Sequence, residues 1–205
     1  LSGRKPIGDR PVCLILGRNR FLGHGLPGRL KSRRGKVQSQ GGAVVFGYHV
    51  RDPKRYGVVE SDLSGKASSI EEKPKHPKSD YAVTGLCFYG NDVVDIAKSL
   101  KPSARGELEI TDLNWKYLER DALSVELLKR GHAWLDTGTH DSLLECSEFV
   151  AAAEGRQSRK IGCVEEIAYC QDSIGKDQLG NLAERFSSTT YGKYPRSIAE
   201  EEHAV

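Results

Sequence analysis

Tyr81-Ala82-Val83-Thr84-Gly85-Leu86-Cys87-Phe88-Tyr89, then Gly90-Asn91-Asp92, then Val93-Val94-Asp95-Ile96-Ala97-Lys98-Ser99-Leu100 is the stretch on which the fold turns. The first run is rich in β-branched and aromatic side chains and reads as a strand. After the Gly-Asn-Asp break the apolar spacing changes. Val93, Ile96, Ala97 and Leu100 now share one side of a helical wheel, which predicts an amphipathic helix with Asn91 as its cap. A strand that passes directly into such a helix is the unit of a layered α/β fold.

The same alternation extends in both directions. On the N-terminal side, Gly57–Glu60 and Ala67–Glu72 flank Asp62-Leu63-Ser64-Gly65-Lys66 and predict a hairpin. Asp52-Pro53 marks a turn after a strand over Ala43–Val50, and Val12–Leu16 reads as a short buried strand running into Gly17. On the C-terminal side, Leu108–Leu118 predicts a helix with Leu113 and Tyr117 on one face. Strands follow over Ser124–Leu128 and Ala133–Leu135. A helix over Ser142–Glu154 carries Leu143, Cys146 and Val150 on one side, and residues 156–205 read as helical and more polar. A soft boundary falls at Gly155–Arg159. The chain thus divides into a basic segment with one core strand (1–42), a central α/β part (43–155) and a helical extension (156–205).

Composition limits the partners. The chain has 205 residues, of which 38% are hydrophobic and 29% charged, enough for one ordinary domain with a small appendage. No apolar run approaches the roughly 20 residues that span a bilayer. The basic start is not followed by an apolar signal core, so no membrane partner and a cytoplasmic setting are expected. The net charge is +3, but it is unevenly spread. Residues 1–36 carry ten Lys or Arg and only Asp9 in opposition. That segment lacks aromatic interleaving and any recognition motif, so a solvated, partly ordered terminus is expected and nucleic-acid binding is not. The five cysteines form no Cys-x-x-Cys pair, and their odd number argues against a disulfide framework. Cys13, Cys87 and Cys146 sit in apolar contexts and are expected to be buried.

Chemistry concentrates in four stretches: Asp52–Val59, Glu71-Glu72-Lys73-Pro74, Val83-Thr84-Gly85 and Trp134-Leu135-Asp136-Thr137-Gly138-Thr139. A glycine such as Gly57 lets backbone amides come close to a ligand. A carboxylate such as Glu72 can accept from two vicinal hydroxyls, and an ammonium such as Lys73 suits a phosphate. Asp136 at a strand end suits a hard cation such as Mg²⁺. Each run also has a plainer reading. Tyr56-Gly57 can be a turn, Glu72-Lys73-Pro74 a solvated loop, Asp136-Thr137-Gly138 a helix cap, Trp134 a core residue and His132 a strand-edge residue. Four such runs, in order and at strand ends of one chain, favour a sugar-phosphate site.

Taken together these residues resemble the short-form glucose-1-phosphate thymidylyltransferases. The match is densest over Tyr48-His49-Val50, Arg55–Glu60, Glu71–Pro74, Pro77-Lys78-Ser79, Tyr81–Leu86, Leu100–Asp112 and Ala133–His140. A weaker match covers Val12–Pro27 and Tyr191-Gly192-Lys193-Tyr194. The resemblance implies an enzyme with an incomplete doubly wound, Rossmann-like nucleotidyltransferase fold, a mixed sheet and a homotetrameric state. In the implied reaction a phosphate oxygen of glucose 1-phosphate attacks dTTP, giving dTDP-glucose and pyrophosphate. Gly57, Glu72, Val83 and Trp134 would bind the sugar, and Lys73 its phosphate. Asp136 would hold Mg²⁺.

The sequence also departs from the family. No glycine-rich phosphate loop precedes Val12, and the chain opens Leu-Ser-Gly with no Met. Where the family has Leu-Gly-Asp-Asn, with a metal-binding carboxylate, this chain has Leu16-Gly17-Arg18-Asn19. Cys170 stands where the family uses an Arg at a secondary nucleotide site. The expectations that follow are a piece of a thymidylyltransferase or a non-catalytic sugar-phosphate-binding remnant, and an uncovered sheet edge that lowers solubility. A pyrophosphorylase for UTP or ATP is a further alternative, against which Lys101–Asp112 favours the thymidylyl type.

Overall fold

A computed structural model describes residues 7–103 and 106–201. Ala104 and Arg105 of the Leu100–Asp112 run lie outside the described residues. The elements up to Gly138 are β1 (Val12–Ile15), β2 (Asn19–Gly23), α1 (Leu26–Gln40), β3 (Ala43–His49), β4 (Gly57–Ser61), β5 (Ala67–Glu72), β6 (Tyr81–Tyr89), α2 (Val93–Ser99), α3 (Ile110–Glu119), β7 (Leu123–Leu128) and β8 (His132–Asp136). Six strands form one mixed sheet in the order β5-β4-β6-β3-β7, with β1 also paired to β6. β3 and β7 are parallel and the other pairs antiparallel. β2 and β8 form a separate two-stranded sheet.

The decisive stretch is the central strand. Cys87 and Tyr89 turn to one face, where Val93 and Ile96 of α2 and Leu113 and Tyr117 of α3 close the core. Leu86 and Phe88 turn to the other, against Leu26 and Val37 of α1 and Phe46 of β3. A strand covered by helices on both faces must be apolar at consecutive positions, which is why Leu86–Tyr89 shows no polar alternation. Burial pushes the Cys87 thiol up to about 12. Two tyrosine hydroxyls in this core are matched: that of Tyr89 donates to Asn114 Oδ1 at 2.7 Å and that of Tyr117 to Asp92 Oδ1 at 2.9 Å. Each such bond contributes about 1 kcal/mol net.

Four local expectations need correction. Of the segment 1–36, expected beyond its one strand to be a solvated terminus, residues from Asn19 on form β2 and most of α1. Three of the five basic residues of α1 are engaged there, with Arg29 and Arg33 on Glu126 at 2.6 and 2.7 Å and Lys36 donating to Ser124 at 2.7 Å. Asn91 does not cap α2. Its amide instead donates to the Gly8 and Arg10 carbonyls at 2.7 and 3.0 Å. Cys13 is exposed, on a strand that pairs only with β6 among the described residues. Ile15, two residues on, is 58% exposed. Leu143 is exposed as well, and only Cys146 of its expected apolar face is buried.

Contacts divide the chain after Gly138, earlier than the Gly155–Arg159 connector. The helical unit holds α4 (His140–Gln157), α5 (Val164–Cys170), α6 (Lys176–Glu184) and α7 (Thr190–Glu200). Thr139 caps α4, its hydroxyl accepting from the Ser142 amide while Ser142 Oγ accepts from the Thr139 amide. Cys163, Leu179, Tyr194 and Ile198 form this unit's buried cluster. Gly192 is required inside it, since a Cβ there would lie 2.1 Å from the Phe186 carbonyl oxygen.

Candidate functional site

One wall of the site is a tight turn between the two sheets. β1 ends where the Leu16 amide donates to the Gly85 carbonyl at 2.8 Å. The Asn19 amide closes the turn on the Leu16 carbonyl at 3.0 Å. Thr137 holds its middle, donating to the Arg18 carbonyl through its amide at 2.9 Å and its hydroxyl at 2.8 Å. β2 then pairs with β8, setting Asn19 opposite Asp136 and Phe21 opposite Trp134. Trp134 Nε1 donates to Asn19 Oδ1 at 2.6 Å. Gly85 makes this approach possible: a Cβ there would meet Asn19 Nδ2 at 2.4 Å and Leu16 Cβ at 2.9 Å.

The other wall belongs to the large sheet. Hairpin register sets Gly57 opposite Glu72. Thr111, in the first turn of α3, donates through its hydroxyl to Glu72 Oε2 at 2.5 Å. A Cβ on Gly57 would lie 3.1 Å from that hydroxyl and 3.2 Å from Glu72 Oε2, so the glycine leaves the Thr111–Glu72 pair the room it needs. Lys73 follows with φ of +45°, while its amide donates to the Tyr56 carbonyl at 3.0 Å. A lysine in the left-handed region costs on the order of 1 kcal/mol, and strain of this kind gathers at ligand sites. Trp134 is buried and meets the rings of Tyr56 and Tyr48 edge-on at 5.2 and 5.9 Å.

Gly57, Glu72, Lys73, Val83, Trp134 and Asp136 all line one cavity of about 450 Å³. The structure therefore brings together every site residue expected from the sequence. The volume is in the range that holds a small ligand. Two more cations, Arg18 and Arg55, face the same space, as does Thr84, whose buried hydroxyl has no hydrogen-bond partner among the described residues. Thr111 was missed. It sits inside the Leu100–Asp112 run, but nothing in its spacing marks it, because its role depends on Glu72, far away in sequence. A larger cavity of about 610 Å³ lies by Arg29, Arg33 and Glu126, where none of the expected residues is found.

The donors do not suit a divalent cation. Among the described residues no three His, Cys, Asp or Glu side chains gather as a metal site. Asp136 and a guanidinium both lie beside Gly138: a Cβ there would be 3.3 and 3.4 Å from the two Asp136 carboxylate oxygens and 3.6 Å from Arg18 Nη1. A guanidinium has no lone pair to give and repels a cation at that spot.

Comparison with known proteins agrees with this architecture. Residues 2–153 match the family model for nucleotidyl transferases. The glucose-1-phosphate thymidylyltransferase of Xanthomonas campestris pv. campestris (strain B100) is 52% identical over 200 residues, covering 98% of this chain and 67% of that protein. The enzyme of the same name from Mycolicibacterium smegmatis is 51% identical over 202 residues, covering 98% and 69%. A Bacillus anthracis protein assigned as a glucose-1-phosphate thymidylyltransferase and crystallised with sucrose superposes with a TM-score of 0.62 at 40% identity, covering 72% of this chain and 57% of that one. The chain thus spans about two thirds of the curated relatives it matches. With about half of its residues identical over nearly its whole length and a family model matched over residues 2–153, the chain belongs to the nucleotidyl transferase family, in its glucose-1-phosphate thymidylyltransferase branch.

Proposed function

We propose that this cavity holds glucose 1-phosphate for thymidylyl transfer, the reaction that joins it to dTTP and releases pyrophosphate. The observation that carries the reading is the convergence of Gly57, Glu72, Lys73 and Val83 on one cavity beside Trp134. In this reading the Gly57 and Val83 backbones and the Glu72 carboxylate bind sugar hydroxyls, with the Thr111 hydroxyl bond holding that carboxylate in place. Lys73 neutralises the phosphate. Transfer of this kind depends on positioning and on charge neutralisation, both of which rigid strand ends supply. The resemblance gives Asp136 to Mg²⁺, but the donor set beside Arg18 does not fit that ion, and no step is assigned to it.

The test is release of pyrophosphate from dTTP with glucose 1-phosphate, compared with UTP and ATP. Turnover with dTTP in preference to the others is the expected result, and turnover with none removes catalysis from the proposal for this chain. A binding-only role is the second reading, favoured by Arg18. It predicts calorimetric binding of glucose 1-phosphate without turnover. Self-association into a homo-oligomer and a cytoplasmic setting complete the reading, and sedimentation velocity checks the first. No described helix is long and apolar enough to cross a membrane.

A further inference from the structure

We infer that Arg18 takes the place of a divalent cation in this cavity, gripping the phosphoryl group of the sugar phosphate so that binding needs no metal. The inference rests on the proposed sugar-phosphate reading and assigns the phosphate a second ligand opposite Lys73. Three observations carry it.

The first is anchorage. Both bonds from Thr137 to the Arg18 carbonyl, with the Asn19–Leu16 and Asn19–Trp134 bonds beside them, fix the turn from which the side chain springs. The fixed turn removes the backbone's share of the ordering cost, leaving only the side chain's own. The second is availability. Among the described residues the Arg18 guanidinium makes no ion pair or side-chain hydrogen bond, whereas Arg29 and Arg33 are committed to Glu126. Its parallel N–H groups therefore remain free to meet two phosphate oxygens. The third is charge. A phosphate monoester carries close to two negative charges at neutral pH. Arg18, Lys73 and Arg55 bring three positive charges to the cavity against the carboxylates of Glu72 and Asp136, so the lining keeps a net positive charge for the phosphate with no metal counted.

Isothermal calorimetry with glucose 1-phosphate, in EDTA and in Mg²⁺, tests this on the wild-type chain, Arg18→Gln and Arg18→Asp. The side chain of Arg18 is exposed, and both substitutions keep its carbonyl, so the Thr137 bonds survive. Circular dichroism melts check that the fold is retained. The expected result is equal wild-type affinity in EDTA and Mg²⁺, a loss of about 10- to 100-fold in Arg18→Gln under both conditions, and in Arg18→Asp a loss in EDTA that Mg²⁺ partly restores. Wild-type binding that requires Mg²⁺ overturns the inference and leaves the sugar-phosphate reading standing. So does an Arg18→Gln affinity equal to wild type. No wild-type binding under either condition overturns the sugar-phosphate reading itself, and this inference with it.

Discussion

The two walls of the cavity are built differently. The wall from β4, β5, β6 and α3 is a closed set of mutual constraints: Gly57 faces Glu72, Thr111 bonds Glu72, and Val83 lies on the central strand. The wall from the Leu16–Asn19 turn has an equally firm backbone, yet the side chain it turns to the cavity, Arg18, is a cation where the resemblance gives a carboxylate. The contrast teaches that scaffold and chemistry can be separated. The bond accepted by the Gly85 carbonyl and the two donated by Thr137 hold the turn whatever residue 18 is, because on the turn itself they use only main-chain atoms. The sugar wall has no such freedom, since there the side chains themselves form the support.

That contrast can be broken most forcefully at Glu72. Glu72→Ala removes the carboxylate, and glucose 1-phosphate affinity should fall by about 10- to 100-fold, the worth of charged hydrogen bonds to hydroxyls. Calorimetry reads this directly. A loss under threefold would mean the sugar does not sit on this wall. Next in size is Gly85→Ala. The added Cβ must push Asn19 away and with it the bond from Trp134, which should cost about 1–3 kcal/mol of stability. Urea denaturation should show a lower midpoint with an unchanged slope. An unchanged midpoint would mean the turn is looser than described. The smallest effect is expected for Thr111→Val, which keeps shape but loses the hydroxyl. Affinity should drop about fivefold, with stability nearly unchanged because Glu72 stays half-exposed to water. A variant that binds as well as the original would deny Thr111 any part in holding Glu72.

Much of this was legible in the sequence for a physical reason. The layered fold announced itself because apolar spacing changes period at Tyr89–Val93, and both periods are local properties of the chain. The hairpin was readable from Asp62-Leu63-Ser64-Gly65-Lys66, where Asp62 Oδ1 accepts from the Ser64 and Lys66 amides and needs no distant partner. β2 was not readable. Asn19-Arg20-Phe21-Leu22-Gly23 has little strand character of its own and becomes a strand only against β8, over a hundred residues later. The same holds for α1, whose basic residues look like a solvated run until Glu126 appears between Arg29 and Arg33. The six expected site residues came from the family resemblance, and the geometry then added what motifs do not carry: the Thr111–Glu72 bond and the nearness of Arg18 to Asp136.

Amide NMR shifts on titration with glucose 1-phosphate test the central claim most directly, because they report where on the chain the ligand sits. The account predicts that the largest shifts cluster at Gly57, Lys73, Val83 and the Gly17–Asn19 turn, saturating together with one affinity. Shifts centred instead on Arg29, Arg33 and Lys36 beside the larger cavity, or scattered without saturation, would contradict it.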